Sequence, residues 1–342
     1  MKEKRDFDLL TLGQLLLRLS PPNNERLVRG DIFEKQVGGA ELNVAVGVSL
    51  LGLHAGVISK LPAHDMGNFM KSKIRSYGVS DDYFLYDNSP SARVGIYYYE
   101  NGAYPRKPKV IYDRSNSSFY SLTIDEIPKA TYRASRCFHT TGITLALNET
   151  IRDTAVEMIK RFKEAGTLVS FDVNFRGNLW TGEQAKECIE RILPYVDIFF
   201  CSEDTARLTF KKTGTAKEMM KSFTQEYPIS IVASTQRVVH SPKRHSFGSV
   251  IYDAGKDRYY EEEPYQDIEV VDRIGSGDAY ISGALYGLLT SDFDCAKAVR
   301  YGNAASAVKN TIPGDLPSSD LEELETIIRA HSQKGPQSEM AR

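Results

Sequence analysis

The chain has 342 residues, with 45 acidic and 43 basic side chains, a formal charge of −2 and a pI near 6.3, which excludes a nucleic-acid binder that relies on bulk basicity. No apolar run reaches the roughly 18–20 residues of a membrane span, and MKEKRDFDLL lacks the apolar stretch and cleavage site of a signal peptide. Four cysteines without a CxxC pair and six histidines without an HExxH pair predict a cytoplasmic protein with reduced thiols and no zinc site.

In chain order, FDLLTLG at 7–13 reads as a buried strand ending in glycine. AELNVAVGVSLLG at 40–52 has apolar positions at helical spacing and ends at a C′ glycine. HAGVISKLP is a short strand, and DMGNFMKSKIRSYG at 65–78 a second helix. The pattern then changes: ARVGIYYYE and KVIYD, separated by the turn-prone NGAYPRKP, predict a hairpin over 92–113. Its three consecutive tyrosines, Tyr97, Tyr98 and Tyr99, cannot all face one way in a strand.

Alternation resumes at 137, where CFHTTGI, TLVSFDV, VDIFFCS and ISIVAS are strands. The helices ETIRDTAVEMIKRFKEAG, EQAKECIERIL and TAKEMMKSFTQEY separate them. Repeated β-α-β units imply a mostly parallel sheet with helices on both faces. SFGSVIYDAGKDRYYEE adds an antiparallel hairpin, followed by the helices DAYISGALYGLLT and CAKAVRYGNAASAVKN. The division this suggests is a main α/β unit over 1–18, 37–91 and 116–332, a β lid over 19–36 and 92–115, and a loose tail at 333–342.

Ligands of an open parallel sheet bind beyond the carboxyl ends of its strands, and there two motifs stand out. GSGD at 275–278 opens a helix. Its glycines let an anion approach unpaired backbone N–H groups, so Asp278 is either a cap or a base beside a bound anion. VGGAELN at 37–43 puts two glycines and Asn43 at another helix mouth. There is no GxxxxGK[ST], and Tyr280 stands where a dinucleotide fingerprint needs its third glycine.

VGGAELNVAVGVSLLG and DRIGSGDAYISGAL resemble the two signature regions of the ribokinase-like (pfkB) carbohydrate kinases. VIYDRSNSS, FHTTGITLAL and FDVNFRGNLW are similar to the 2-keto-3-deoxygluconate kinase branch, so the likeness runs over most of 7–318. It implies a three-layer α/β/α fold with a small β-sheet lid, and ATP-dependent phosphorylation of 2-keto-3-deoxygluconate at the 6-hydroxyl. By the same likeness Asp278 is the general base, and the backbone of Gly275, Ser276 and Gly277 is the anion hole. Arg114 and Arg176 would grip the substrate carboxylate, which guanidinium recognises bidentately. Gly39, Asn43, Tyr97, Tyr112, Ile143 and Asp315 would complete the sugar site, and Ser202, Ser234, Thr235, Arg237 and Asn303 the ATP site. Mg²⁺, a monovalent cation and a homo-oligomer formed through the lid are implied as well.

Three departures qualify the match. Gln14 follows Gly13 where this branch usually has glutamate, and Ser202-Glu203-Asp204-Thr205 lacks the last acid of the usual motif, leaving Glu203 or Asp204 to act through water. ASTQRVVHSPKRHSFG replaces a Lys-Arg-Gly stretch. The alternatives are a kinase for another sugar, such as fructose, and a sugar-acid-binding protein that has lost phosphoryl transfer.

Overall fold

The computed structural model describes residues 5–333; the expected loose tail falls almost wholly outside them. The strands, in chain order, are β1 (Phe7–Leu12), β2 (Leu16–Ser20), β3 (Glu34–Gly38), β4 (Ala55–Pro62), β5 (Phe84–Asp87), β6 (Gly95–Glu100) and β7 (Lys109–Asp113). They continue with β8 (Ser135–Thr141), β9 (Leu168–Asp172), β10 (Ile198–Phe200), β11 (Ile231–Ser241), β12 (Arg244–Asp253), β13 (Arg258–Glu261) and β14 (Tyr265–Glu269). Ten of them form one sheet in the order β13-β12-β11-β10-β9-β8-β1-β4-β5, with β14 also paired to β12. From β11 through β5 the pairs are parallel, and β12, β13 and β14 join antiparallel.

Each central strand is apolar on both sides because helices cover both faces. Leu10, Phe138, Phe171 and Phe199 pack with Ile159, Ile189 and Phe223 from the helices Glu149–Glu164, Gly182–Glu190 and Ala216–Glu226. Their neighbours Leu9, Cys137, Ile198 and Phe200 face the other way. There they meet Val44, Leu285 and Val299 of the helices Ala40–Leu50, Ser276–Leu289 and Cys295–Asn310. The helix Ser276–Leu289 is almost wholly buried, and its small residues admit close neighbours. A Cβ on Gly283 would lie 2.3 Å from the Tyr301 carbonyl, and one on Gly287 2.5 Å from Ala298 Cα. This packing fixes the helix that carries GSGD.

The second sheet has four strands in the order β3-β2-β6-β7. It includes Leu16–Arg18 and Val37–Gly38, beyond the expected 19–36 boundary at both ends. Tyr97 and Tyr99 turn inward and are buried, whereas Tyr98 lies outward against Phe33. Two regular elements lie beyond those expected from the sequence. Ile231–Ser241 runs well past ISIVAS and pairs with β12, and Leu321–Ser332 is a helix. The expected strand at 137–143 ends at Thr141, where Gly142 begins a short helix capped by the Thr141 side chain.

Candidate active site

At the carboxyl ends of the central strands, under the small sheet, lie two adjoining cavities of about 240 and 480 Å³. They share Asp172, Asn174, Arg176 and Gly277. Ser202, Thr205, Thr235 and Ile281 line the smaller one, and Gly39, Asn43, Tyr97, Tyr112, Arg114, Ile143, Arg237, Gly275, Ser276, Asp278 and Asp315 the larger.

The boundary is built at a helix mouth. Gly275, the residue before Ser276–Leu289, takes φ 80°, and a side chain there would collide with the Asp315 carbonyl. Gly277 borders open space on its Cβ side, so a ligand can approach the backbone N–H groups of the first helical turn, of which the Ser276 N–H already donates to the Arg273 carbonyl at 3.3 Å. Asp278 follows directly, and Asn43 Nδ2 donates to its Oδ2 at 2.6 Å. Burial raises the Asp278 pKa to about 7, against the pull of Asn43 and Arg176. Asp172, at the end of β9, also rises to about 7 through burial and the nearby Asp278 charge. Asn174 takes φ 35° beside it, and its N–H donates to Asp172 Oδ1 at 3.1 Å.

The larger cavity holds several guanidinium groups. Arg114 is buried, and its Nε donates to Gln14 Oε1 at 2.8 Å. Gln14 Nε2 returns bonds to the Arg114 carbonyl at 3.0 Å and Ser117 Oγ at 2.7 Å. Burial lowers the Arg114 pKa, and the Arg176 charge adds to the fall. Arg176 itself is exposed and donates to the Phe175 carbonyl. Arg273 is a further cation in this wall that the sequence reading passed over.

Asp315 is placed differently from a free ligand carboxylate. It accepts from Tyr97 Oη at 2.5 Å and from Arg18 Nη1 at 2.8 Å. Arg18 also pairs with Asp272 at 2.6 Å and stacks on the Tyr99 ring. Asp315 thus ties the lid to the loop behind Gly275. Glu41, also unanticipated, is buried in the cavity wall and accepts from the Thr141 N–H, Thr141 Oγ1 and Thr144 Oγ1. Burial raises its pKa. Its position inside VGGAELN was a signal; nothing in the spelling marked Arg18.

Two of the five ATP candidates are not brought to either cavity. Asn303 is fully buried, its Oδ1 accepting from Ser249 Oγ at 2.7 Å, and Ser234 is buried within β11. Ser202 lines the smaller cavity but spends its hydroxyl capping the helix Glu203–Leu208. Neither Glu203 nor Asp204 reaches a cavity wall, and Glu203 pairs with Arg207 at 2.9 Å. Among the described residues, no group of three or more His, Cys, Asp or Glu side chains is arranged to hold a metal ion.

Residues 6–320 match the pfkB family carbohydrate kinase. The chain belongs to the pfkB family of carbohydrate kinases. It is 34% identical over 322 residues to the 2-dehydro-3-deoxygalactonokinase of Haloferax volcanii, covering 94% of this chain and 96% of that protein. It is 27% identical to the 2-dehydro-3-deoxygluconokinase of Bacillus subtilis, covering 96% and 99%. The crystal structure of 2-dehydro-3-deoxygluconokinase from Thermotoga maritima superimposes with a TM-score of 0.89 at 30% identity, covering 94% of this chain and 99% of that one. The ribokinase-like fold, a large mostly parallel sheet with a small separate one, is therefore as expected, and this pfkB enzyme is an ATP-dependent sugar kinase. Among the described residues, no helix is long and apolar enough to cross a membrane.

Proposed function

We propose that this kinase phosphorylates 2-keto-3-deoxygluconate at its 6-hydroxyl, with ATP as donor. The observation that carries the reading is Gly277, which borders both cavities with Asp278 beside it, Arg114 in the wall of the larger one and Arg176 in the walls of both. A neutral sugar has no use for such a pair, whereas a sugar acid offers a carboxylate that each can bond.

In this reading the sugar acid occupies the larger cavity. Arg114 and Arg176 hold its carboxylate, and Gly39, Asn43, Tyr112 and Ile143 flank the chain of hydroxyls. Asp278, pushed up to about 7, accepts the proton of the attacking hydroxyl near neutral pH. The N–H groups of Gly275, Ser276 and Gly277 receive the transferring phosphoryl oxygens, aided by the helix dipole. The triphosphate approaches through the smaller cavity past Thr235 and Thr205, with Arg237 at the margin of the larger one. Asn303 and Ser234 lie behind the wall, outside both cavities.

Magnesium arrives with ATP and keeps several waters, which suits a wall offering Asp172 and Asn174 but no cage of carboxylates. When bound, it neutralises charge on the triphosphate. A second copy of the chain would cover β7, whose five residues are all exposed, giving a homo-oligomer through the lid. The four cysteines are free and buried, in keeping with cytoplasmic action.

The likeness to the Haloferax volcanii protein gives the galactonate-derived epimer as a second substrate to test. ADP release should be measured with 2-keto-3-deoxygluconate, 2-keto-3-deoxygalactonate, fructose and ribose. Turnover on either acid far above both neutral sugars is expected. Turnover on fructose alone rejects the proposal, and binding of acid without ADP release leaves only a binding protein.

A further inference from the structure

Behind the Gly275–Gly277 turn lies a buried positive charge that phosphoryl transfer does not directly use. Lys309, near the end of the helix Cys295–Asn310, is 1% exposed. Its Nζ donates to the Asp272 carbonyl at 3.3 Å and the Ile312 carbonyl at 3.1 Å. These carbonyls belong to the two segments that frame the turn. Asp272 begins the stretch entering Gly275, and its Oδ1 accepts from the Ile274 N–H at 3.0 Å. Ile312 leads to Gly314, whose N–H donates to Asp272 Oδ2 at 3.2 Å, and to Asp315, whose carbonyl backs Gly275.

The charges in this knot balance. Arg18 pairs with both Asp272 and Asp315, and Lys309 supplies the second positive charge against those two carboxylates. Burial pulls the Lys309 pKa down while Asp272 and Asp315 raise it. An ammonium and a potassium ion have similar size, and both are satisfied by main-chain carbonyl oxygens. The resemblance implied a monovalent cation, but the carbonyls facing each other here already meet on Lys309 Nζ. A further cation would add an unmatched buried charge, which is costly.

We infer that the Lys309 ammonium is a built-in monovalent cation, holding the 272–275 and 312–315 segments together in place of an exchangeable potassium ion. Lys309 is thus a positioning residue, acting through the turn. The inference rests on reading that turn as the phosphoryl seat.

The test compares turnover and thermal unfolding of the full chain in potassium, ammonium and tetramethylammonium chloride at equal ionic strength. For the parent, both quantities should be the same in all three salts. Lys309→Ala should lose turnover about ten-fold or more in tetramethylammonium. Potassium or ammonium should restore most of that loss and raise the Tm of the variant, with no such rise for the parent. Lys309→Met, which keeps the apolar stem, serves if the alanine variant does not fold. A parent that needs potassium, or soluble variants indifferent to the cation in both readouts, overturns the inference. A cation-specific rise in Tm without recovered turnover keeps the inference and removes the turn from the phosphoryl-seat reading.

Discussion

Asn43 Nδ2 donates to Asp278 Oδ2 at 2.6 Å, joining the mouths of the helices Ala40–Leu50 and Ser276–Leu289. The bond aims one carboxylate oxygen at a neighbour and leaves the other for the cavity. Asp278→Asn keeps the size of the side chain and removes its basicity. Turnover should fall at least about 10²-fold, the lower range for a positioned base, while substrate KM changes little and Tm does not fall. Near-parent turnover in steady-state assays would rule out the role.

Arg114 and Arg176 differ in burial, and the difference sets their ranking. Arg176 is exposed, so Arg176→Ala should weaken the sugar acid about ten-fold, the scale of one charge-assisted bond. Arg114 is buried, and losing one partner of a buried charged pair costs about 2–5 kcal/mol. Arg114→Ala should therefore raise the acid KM more than Arg176→Ala does, with less effect on any neutral sugar that turns over. Equal losses for acid and neutral substrates would argue against carboxylate recognition.

Because Asp278 must be ionised to accept a proton, kcat/KM should fall as the pH drops through about 7. Asp172 titrates in the same range, so the limb belongs to the pair. In Asp278→Asn the residual activity should lose that limb, which separates the enzyme's titration from that of ATP. Stability moves in the opposite sense. The folded state holds these protons more tightly than the unfolded chain, so their contribution is fully present below the ordinary carboxylate range. It is lost as the pH rises through about 7. Thermal unfolding of the apo protein from pH 4 to 8 checks this, and Asp172→Asn should gain Tm over the parent at pH 8 but not at pH 4.

The parts legible in the sequence were those carried by local signals. Alternating apolar runs gave the central strands, and GSGD and VGGAELN gave the two helix mouths that Asn43 and Asp278 join. What escaped depended on long-range pairing. Leu16–Ser20 and Glu34–Gly38 are lid strands only because each pairs with the other or with Gly95–Glu100. Val238 and Val239 escaped for a different reason: they sit in a local hairpin arm exposed on both faces, so no buried-exposed alternation marks it. Arg18 gave no sign that Asp272 and Asp315, more than 250 residues away in sequence, would bury it. Asn303 is the converse case: its motif matches, but it lies inside the core, outside both cavities, with its Oδ1 accepting from Ser249 Oγ.

Gln14 stands where the resembled branch has glutamate, and its bonds explain why activity is still expected. Its Oε1 accepts from Arg114 Nε, and its Nε2 bonds the Arg114 carbonyl and Ser117 Oγ. It therefore holds the lid's strand exit and the carboxylate-binding guanidinium at once, without taking part in proton transfer. Gln14→Ala removes three buried bonds and should raise the acid KM about ten-fold or more while lowering Tm. Gln14→Glu keeps the acceptor for Arg114 Nε and should recover most of the loss in KM, although its carboxylate faces the Arg114 carbonyl and gives up a donor. Parallel KM, kcat and Tm measurements on the two variants decide the point. An alanine variant with parent-like KM would mean that Arg114 keeps its place without Gln14.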